Sequence, residues 1–194
     1  TVCVASYDYD KQGQIQVLFR MLSQTDAETR RILDDCIVLF AHDNPDGMDL
    51  VSDWYMRHAE PAKREFATIP RLYQKYVGHD NNRDFFMAAM RETENINRAL
   101  FRQWYPQIIY NQHQPGPEGM VVFVPPFRDP FNFNYDPLVM SQPNEIGFAM
   151  HSRLIEENKP GSGSRSAATY STWHNGMERS VAYFHNSIGL LTEI

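Results

Sequence analysis

Four places in the sequence gather side chains able to do chemistry. Gly78-His-Asp-Asn-Asn-Arg-Asp84 sets an arginine among amides and carboxylates at the start of a helical stretch. A guanidinium offers two parallel N–H donors to a carboxylate or phosphate, and a helix start adds attraction for an anion. The plainer reading is an Asn/Asp-rich cap with a solvated arginine. His113 follows an apolar run ending near Asn111 and precedes a Gly/Pro loop. A neutral imidazole there can bind zinc, or can be a hydrogen-bonded structural residue. Glu193 lies inside Leu190-Leu-Thr-Glu-Ile194. A carboxylate in a buried strand is costly unless it is paired or put to use, whereas on an exposed edge strand it needs no role. Tyr170-Ser-Thr-Trp-His-Asn-Gly176 mixes aromatic and polar groups in a loop, which suits ligand contact or ordinary packing.

The surrounding pattern says what must hold these groups. Thr1–Ser6 reads as a buried strand, and Ile15, Leu18, Phe19 and Leu22 follow the i, i+3, i+4, i+7 spacing of an amphipathic helix. Thr25-Asp-Ala-Glu28 is a capping-box pattern opening a short second helix toward Leu33. Cys36-Ile-Val-Leu-Phe-Ala41 is a continuous apolar run of strand length. Two strands apolar throughout, joined by helix, predict a parallel pair covered on both faces. Asn44-Pro-Asp-Gly47 reads as a turn, and residues 57–78 as a long polar surface excursion.

Farther on, a helix is expected over 84–104, with Ile96, Leu100 and Trp104 on one face. Strands are expected at 107–111, 120–124 and 187–194. Residues 125–137 hold four prolines and three phenylalanines, an apolar loop that cannot be a central strand. A helix over 144–157 ends before the flexible-looking Pro160-Gly-Ser-Gly-Ser164. Apart from the tripeptide His-Asp-Asn at 42–44 and 79–81, nothing repeats.

Composition narrows the function classes. The 194 residues are 42% hydrophobic and 22% charged, with a formal charge of −6, which suits one folded domain over residues 1–194. That acidity, with no basic tract, argues against nucleic acid as a partner. Apolar stretches such as Ile37–Ala41 are too short to span a bilayer. Cys3 and Cys36 read as buried free thiols. Both ends fall inside apolar runs, so the chain reads as part of a longer one.

Taken in order, Asn44-Pro-Asp-Gly47, Gly78-His-Asp-Asn-Asn-Arg-Asp84, Tyr110-Asn-Gln-His113, Tyr170-Ser-Thr-Trp173 and Leu191-Thr-Glu193 resemble the M14 family of zinc carboxypeptidases, most of all its bacterial, exported members. The resemblance implies an α/β fold, a mixed, largely parallel sheet with helices on both faces, with further elements of the family's longer domain missing at both ends. It implies a secreted or periplasmic protein, Zn²⁺ as cofactor and peptide or protein C-termini as partners. His113 then matches the family's last zinc ligand, and Asn82 and Arg83 the pair that holds the substrate's terminal carboxylate. Arg57, ten residues after the Asn-Pro-Asp-Gly stretch, matches the arginine at the scissile carbonyl. Tyr170 matches the tyrosine that covers bound substrate, and Glu193 the glutamate that activates zinc-bound water.

One motif departs from the pattern. The family's His-x-x-Glu pair belongs near residues 7–11, where this chain reads Tyr7-Asp-Tyr-Asp-Lys11, and its first histidine is His42. Asp8 or Asp10 can supply a carboxylate ligand, and His42, His79 and His174 are candidates to complete a site from elsewhere. Smaller departures are Trp173-His174 and Gly176-Met177, where a second Trp and a second Gly are expected. The leading expectation is a zinc-dependent carboxypeptidase-like hydrolase. Its alternatives are an inactive member that binds peptide or cell-wall fragments, and an amidase of non-peptide substrates.

Overall fold

The computed structural model describes residues 1–7, 11–65, 68–69, 78–114 and 116–194. Its frame is a six-stranded sheet. Strand β1 (Val2–Tyr7) pairs in parallel with β2 (Ile37–His42) on one side and β3 (Ile108–His113) on the other. Strand β6 (Ile188–Glu193) lies parallel to β3 and antiparallel to the short β4 (Val122–Phe123), which in turn pairs with β5 (Ser162–Gly163). The spatial order is β2-β1-β3-β6-β4-β5, a mixed, mostly parallel α/β sheet.

Between β1 and β2 run α1 (Lys11–Ser23) and α2 (Ala27–Asp35), the crossover that a parallel pair requires. The cap of α2 is Asp26, whose carboxylate accepts from the Thr29 amide, rather than the expected Thr25. Helix α1 forms as its spacing predicts, but Phe19 and Leu22 on its apolar side are exposed. Asn44-Pro-Asp-Gly47 is not a free turn. It opens α3 (Pro45–Met56), with Asn44 accepting from the Gly47 amide and proline at the first helical position, where a missing N–H costs nothing.

The predicted 84–104 helix begins only at Arg91, because the buried Asp84 carboxylate accepts the Ala89 and Met90 amides and holds that stretch out of helix. From α4 (Arg91–Arg98) the chain continues as a π-helical segment to Trp104 and turns at Tyr105, whose φ is 46°. Helix α5 (Pro137–Glu156) starts seven residues earlier than expected, capped by Asp136. Pro160–Ser164 is not all loop, since it contributes β5 to the sheet. The predicted 120–124 strand is only two residues long, flanked by the proline-rich segment. Cys3 and Cys36 are free and half-buried rather than buried. No described helix is long and apolar enough to cross a membrane.

A short helix that the sequence pattern does not announce, α6 (Glu178–Tyr183), lies directly on the sheet. Register puts Ile109, Asn111 and His113 beside Gly189, Leu191 and Glu193 on one sheet face, by the two-residue period of strands. Gly189 lets α6 approach: a Cβ there would stand 1.8 Å from the Arg179 carbonyl oxygen. The core on this face joins Val4, Leu100, Ile109 and Ala182, and farther along Leu191 packs with Phe123 and Phe127.

Candidate active site

The parallel pairing of β3 and β6 places His113 directly opposite Glu193 at the carboxyl ends of both strands, where open α/β sheets present ligands. His113 Nδ1 stands 3.2 Å from Glu193 Oε2. Glu193 is 4% exposed and belongs to an interior strand, so the edge-strand explanation of its position is removed. A buried carboxylate of this kind is stabilised by the imidazole and by its surroundings, not by water.

The Asn81–Arg83 turn comes in from the other side. Asp80 caps it by accepting from the Asn82 amide, and Asn81 donates to the Asp43 carbonyl, so the two His-Asp-Asn stretches pack together. Asn82 is buried, and its side-chain oxygen accepts from the Glu178 amide on α6. A cavity of about 10 Å³ is lined by Asp43, Asn81, Asn82, Phe85, Asn111 and His113, which brings Asn82 to the imidazole. Arg83 donates to the Asn82 carbonyl, lies 3.8 Å from Asp80, and remains 44% exposed.

Helix α6 supplies two charged residues that no periodicity or motif singled out. Glu178 is fully buried and accepts from Asn111 Nδ2 at 2.8 Å, tying α6 to β3. Arg179 is 4% exposed, donates to the Ser171 carbonyl at 2.9 Å, and has its guanidinium carbon 5.2 Å from the Phe127 ring centroid. Burial pulls the guanidinium down to about 10, with Glu193 opposing and Arg83 adding to the shift, and it stays charged at neutral pH.

The same field reaches the 170–174 loop. Burial and the Glu193 charge raise the Tyr170 phenol, with Arg179 opposing. The His174 imidazole is lowered by burial and by Arg83 and Arg179, which keeps it neutral. Tyr170 also stacks edge-on against Phe123, beside β6. The structure therefore gathers His113, Glu193, Asn82, Arg83 and Tyr170 at one end of the sheet.

Arg57 stands apart. It sits over Trp54 at 3.8 Å, donates to the Trp54 carbonyl and pairs with Glu65 at 3.0 Å, and none of these partners belongs to the site. Asp8 and Asp10 lie outside the described residues. His42 has both ring nitrogens engaged, with Met48 Sδ and the Asn44 amide, and His79 is held by Asp84.

Catalytic zinc takes three protein ligands. Among the described residues, no three His, Cys, Asp or Glu side chains are grouped to hold a metal ion. The described donors at the strand ends, one imidazole with one carboxylate bonded to it, do not fit a zinc centre. The undescribed stretch 8–10 adds carboxylates but no imidazole.

Compared with curated proteins, the chain finds no match. Compared with protein families, it matches the model described as zinc carboxypeptidase, peptidase M14, over residues 11–190. Nearly the whole chain, including His113 and the turn that carries Asn82 and Arg83, falls within that match, with Glu193 three residues past its end, and this chain belongs to the zinc carboxypeptidase family.

Proposed function

We propose that this protein recognises the free C-terminal end of a peptide, with Asn82 and Arg83 taking the terminal carboxylate and Tyr170 closing over the bound residue. The observation that carries this reading is the placement of Asn82, next to Arg83 in the 81–83 turn, in one small cavity with His113 at the strand end where His113 meets Glu193. A guanidinium that is partly open to solvent suits a monoanionic chain terminus. Binding without cleavage is supported by the sequence at residues 7–11, Tyr-Asp-Tyr-Asp-Lys, which lacks the family's His-x-x-Glu pair.

A second reading, hydrolysis of the terminal peptide bond, is supported by the Glu193–His113 pair. A buried carboxylate at a strand end, held by an imidazole, is placed as a general base must be. In that reading the exported location and zinc dependence implied by the family resemblance carry over as well.

Two measurements on the purified chain separate the readings. Binding of a fluorescent peptide with a free C-terminus, compared with its C-terminal amide, tests recognition: the free acid binds and the amide does not. Metal analysis after exposure to excess zinc, together with assay of released amino acid, tests cleavage. Less than one zinc per chain and no release support the binding reading. About one zinc per chain, with release abolished by Glu193→Gln, establishes hydrolysis instead. Equal binding of acid and amide would remove both.

A further inference from the structure

A cavity of about 380 Å³, room for a small organic molecule, opens between α4, its π-helical continuation and the end of α6. It shares only Phe85 with the small cavity beside His113, and none of the residues gathered at the strand ends lines it. Phe85, Phe101 and Val181 give it apolar walls.

Its polar lining is cationic. Arg98 and Arg102 stand about one helical turn apart on one wall, a like-charge spacing that destabilises a helix when nothing neutralises it. Among the described residues neither guanidinium meets a carboxylate. Arg98 donates to the Asn95 side-chain oxygen, and Glu94, the acid in the lining, is taken by Arg91. His185, in the turn after α6, has its ring stacked on Phe101 with centroids 3.8 Å apart, which fixes the imidazole and leaves its nitrogens for hydrogen bonding. Partial burial lowers that imidazole, so it is neutral at neutral pH and can donate or accept. Asn97, also in the lining, donates to the Phe85 carbonyl and keeps its side-chain oxygen buried without a partner. The cavity is thus electropositive in a chain whose formal charge is −6.

We propose that this cavity binds a small organic phosphate, with Arg98 and Arg102 taking the phosphate, His185 adding a hydrogen bond, and the ligand's apolar body lying against Phe85 and Phe101. A phosphate monoester carries about two negative charges at neutral pH and three acceptor oxygens, which matches two guanidiniums and an imidazole. A carboxylate supplies one charge and leaves the second guanidinium unmet. The inference does not depend on recognition of peptide ends, because the cavity stands apart from the strand ends.

The test is titration of the intact chain at neutral pH with four probes: phenyl phosphate, inorganic phosphate, benzoate and benzyl alcohol. Phenyl phosphate is expected to bind at least about tenfold more tightly than each of the others, since it alone joins a dianion to an apolar ring. On binding, the His185 imidazole signals move in the proton NMR spectrum and its titration shifts to higher pH, because a neighbouring dianion favours the charged form. Arg98→Gln combined with Arg102→Gln weakens phenyl phosphate at least about tenfold and leaves benzyl alcohol unchanged. Both side chains are exposed, and circular dichroism checks that the double variant is folded. No saturable binding of phenyl phosphate at millimolar concentration overturns the inference, and so does binding no tighter than that of any comparison probe. Binding that survives in the double variant, or that leaves His185 unmoved, places the anion elsewhere and overturns it as well. The wild-type series decides the matter even if the double variant does not fold.

Discussion

The close approach of α6 to β6 makes Gly189→Ala the sharpest test of how the site is held. A Cβ at this position would lie 1.8 Å from the Arg179 carbonyl oxygen and 2.7 Å from its carbon, both of them backbone atoms. Real Cβ contacts stay above 3.0 Å, so α6 must retreat by at least about 1.2 Å. That retreat strains two anchors. Asn111–Glu178, at 2.8 Å, passes out of hydrogen-bonding range, and so does the Tyr183 hydroxyl bond to the Gly189 carbonyl, at 2.7 Å. Overpacking of this kind costs about 1–3 kcal/mol, and a lost bond to a buried carboxylate about 1.5–3 kcal/mol. The expected destabilisation is therefore about 3–5 kcal/mol, a large part of the stability of a domain this size. Urea unfolding followed by circular dichroism measures it as a lower midpoint at unchanged slope. Gly78→Ala serves as control, since among the described residues nothing lies within 4 Å of the added methyl. A loss under about 1 kcal/mol at Gly189 would refute the contact between α6 and β6, and with it the placement of Arg179.

Other expectations follow from single groups. Asp84→Ala removes the acceptor for the Ala89 and Met90 amides in a fully buried position and should cost about 3–5 kcal/mol in the same urea assay. Asn44→Ala uncaps α3 at the Gly47 amide, with a loss of about 1 kcal/mol, whereas a plain turn at that position would tolerate the change. Burial lowers His185, and burial together with Arg83 and Arg179 lowers His174, both from an ordinary value of 6.5. The unfolded chain then binds more protons than the folded one just below that pH. The contribution of both groups is full above 6.5 and is lost as pH falls through the folded values, so the urea midpoint should drop between pH 7 and pH 5. Replacing both histidines by Phe should flatten that slope, and an unchanged slope would refute the assignment.

The parts of the fold legible in the sequence are those with a strong local signal. The apolar runs at 1–6 and 36–41 have no polar face, which predicts a parallel pair, and the structure pairs them in parallel, but β2 lies at the sheet edge, half-buried, with Ile37 exposed, rather than covered on both faces. His113 and Glu193 were legible as strand-end residues because each adjoins a run of β-forming residues. Asn44-Pro-Asp-Gly47 was half legible. Its composition suits a turn and a helix start equally, and only the Asn44–Gly47 bond shows which one formed. Helix α6 was not legible. Glu178 and Arg179 look like solvated charges, and the partners that let them be buried come from far along the chain: Asn111 is 67 residues from Glu178, and Asn82 is 96.

By itself, then, the sequence determined the α/β class, the order of the strands along the chain and the types of residue offered at their ends. Those follow from side-chain hydrophobicity and spacing, which act locally. Tertiary structure decided which of those residues meet. Parallel register set His113 against Glu193, and a glycine-wide gap seated α6 on the sheet. Folding also enclosed Arg179 with no carboxylate beside it among the described residues, while Arg57 paired with Glu65 elsewhere. Register and close packing depend on residues distant in the chain, so no local pattern contains them.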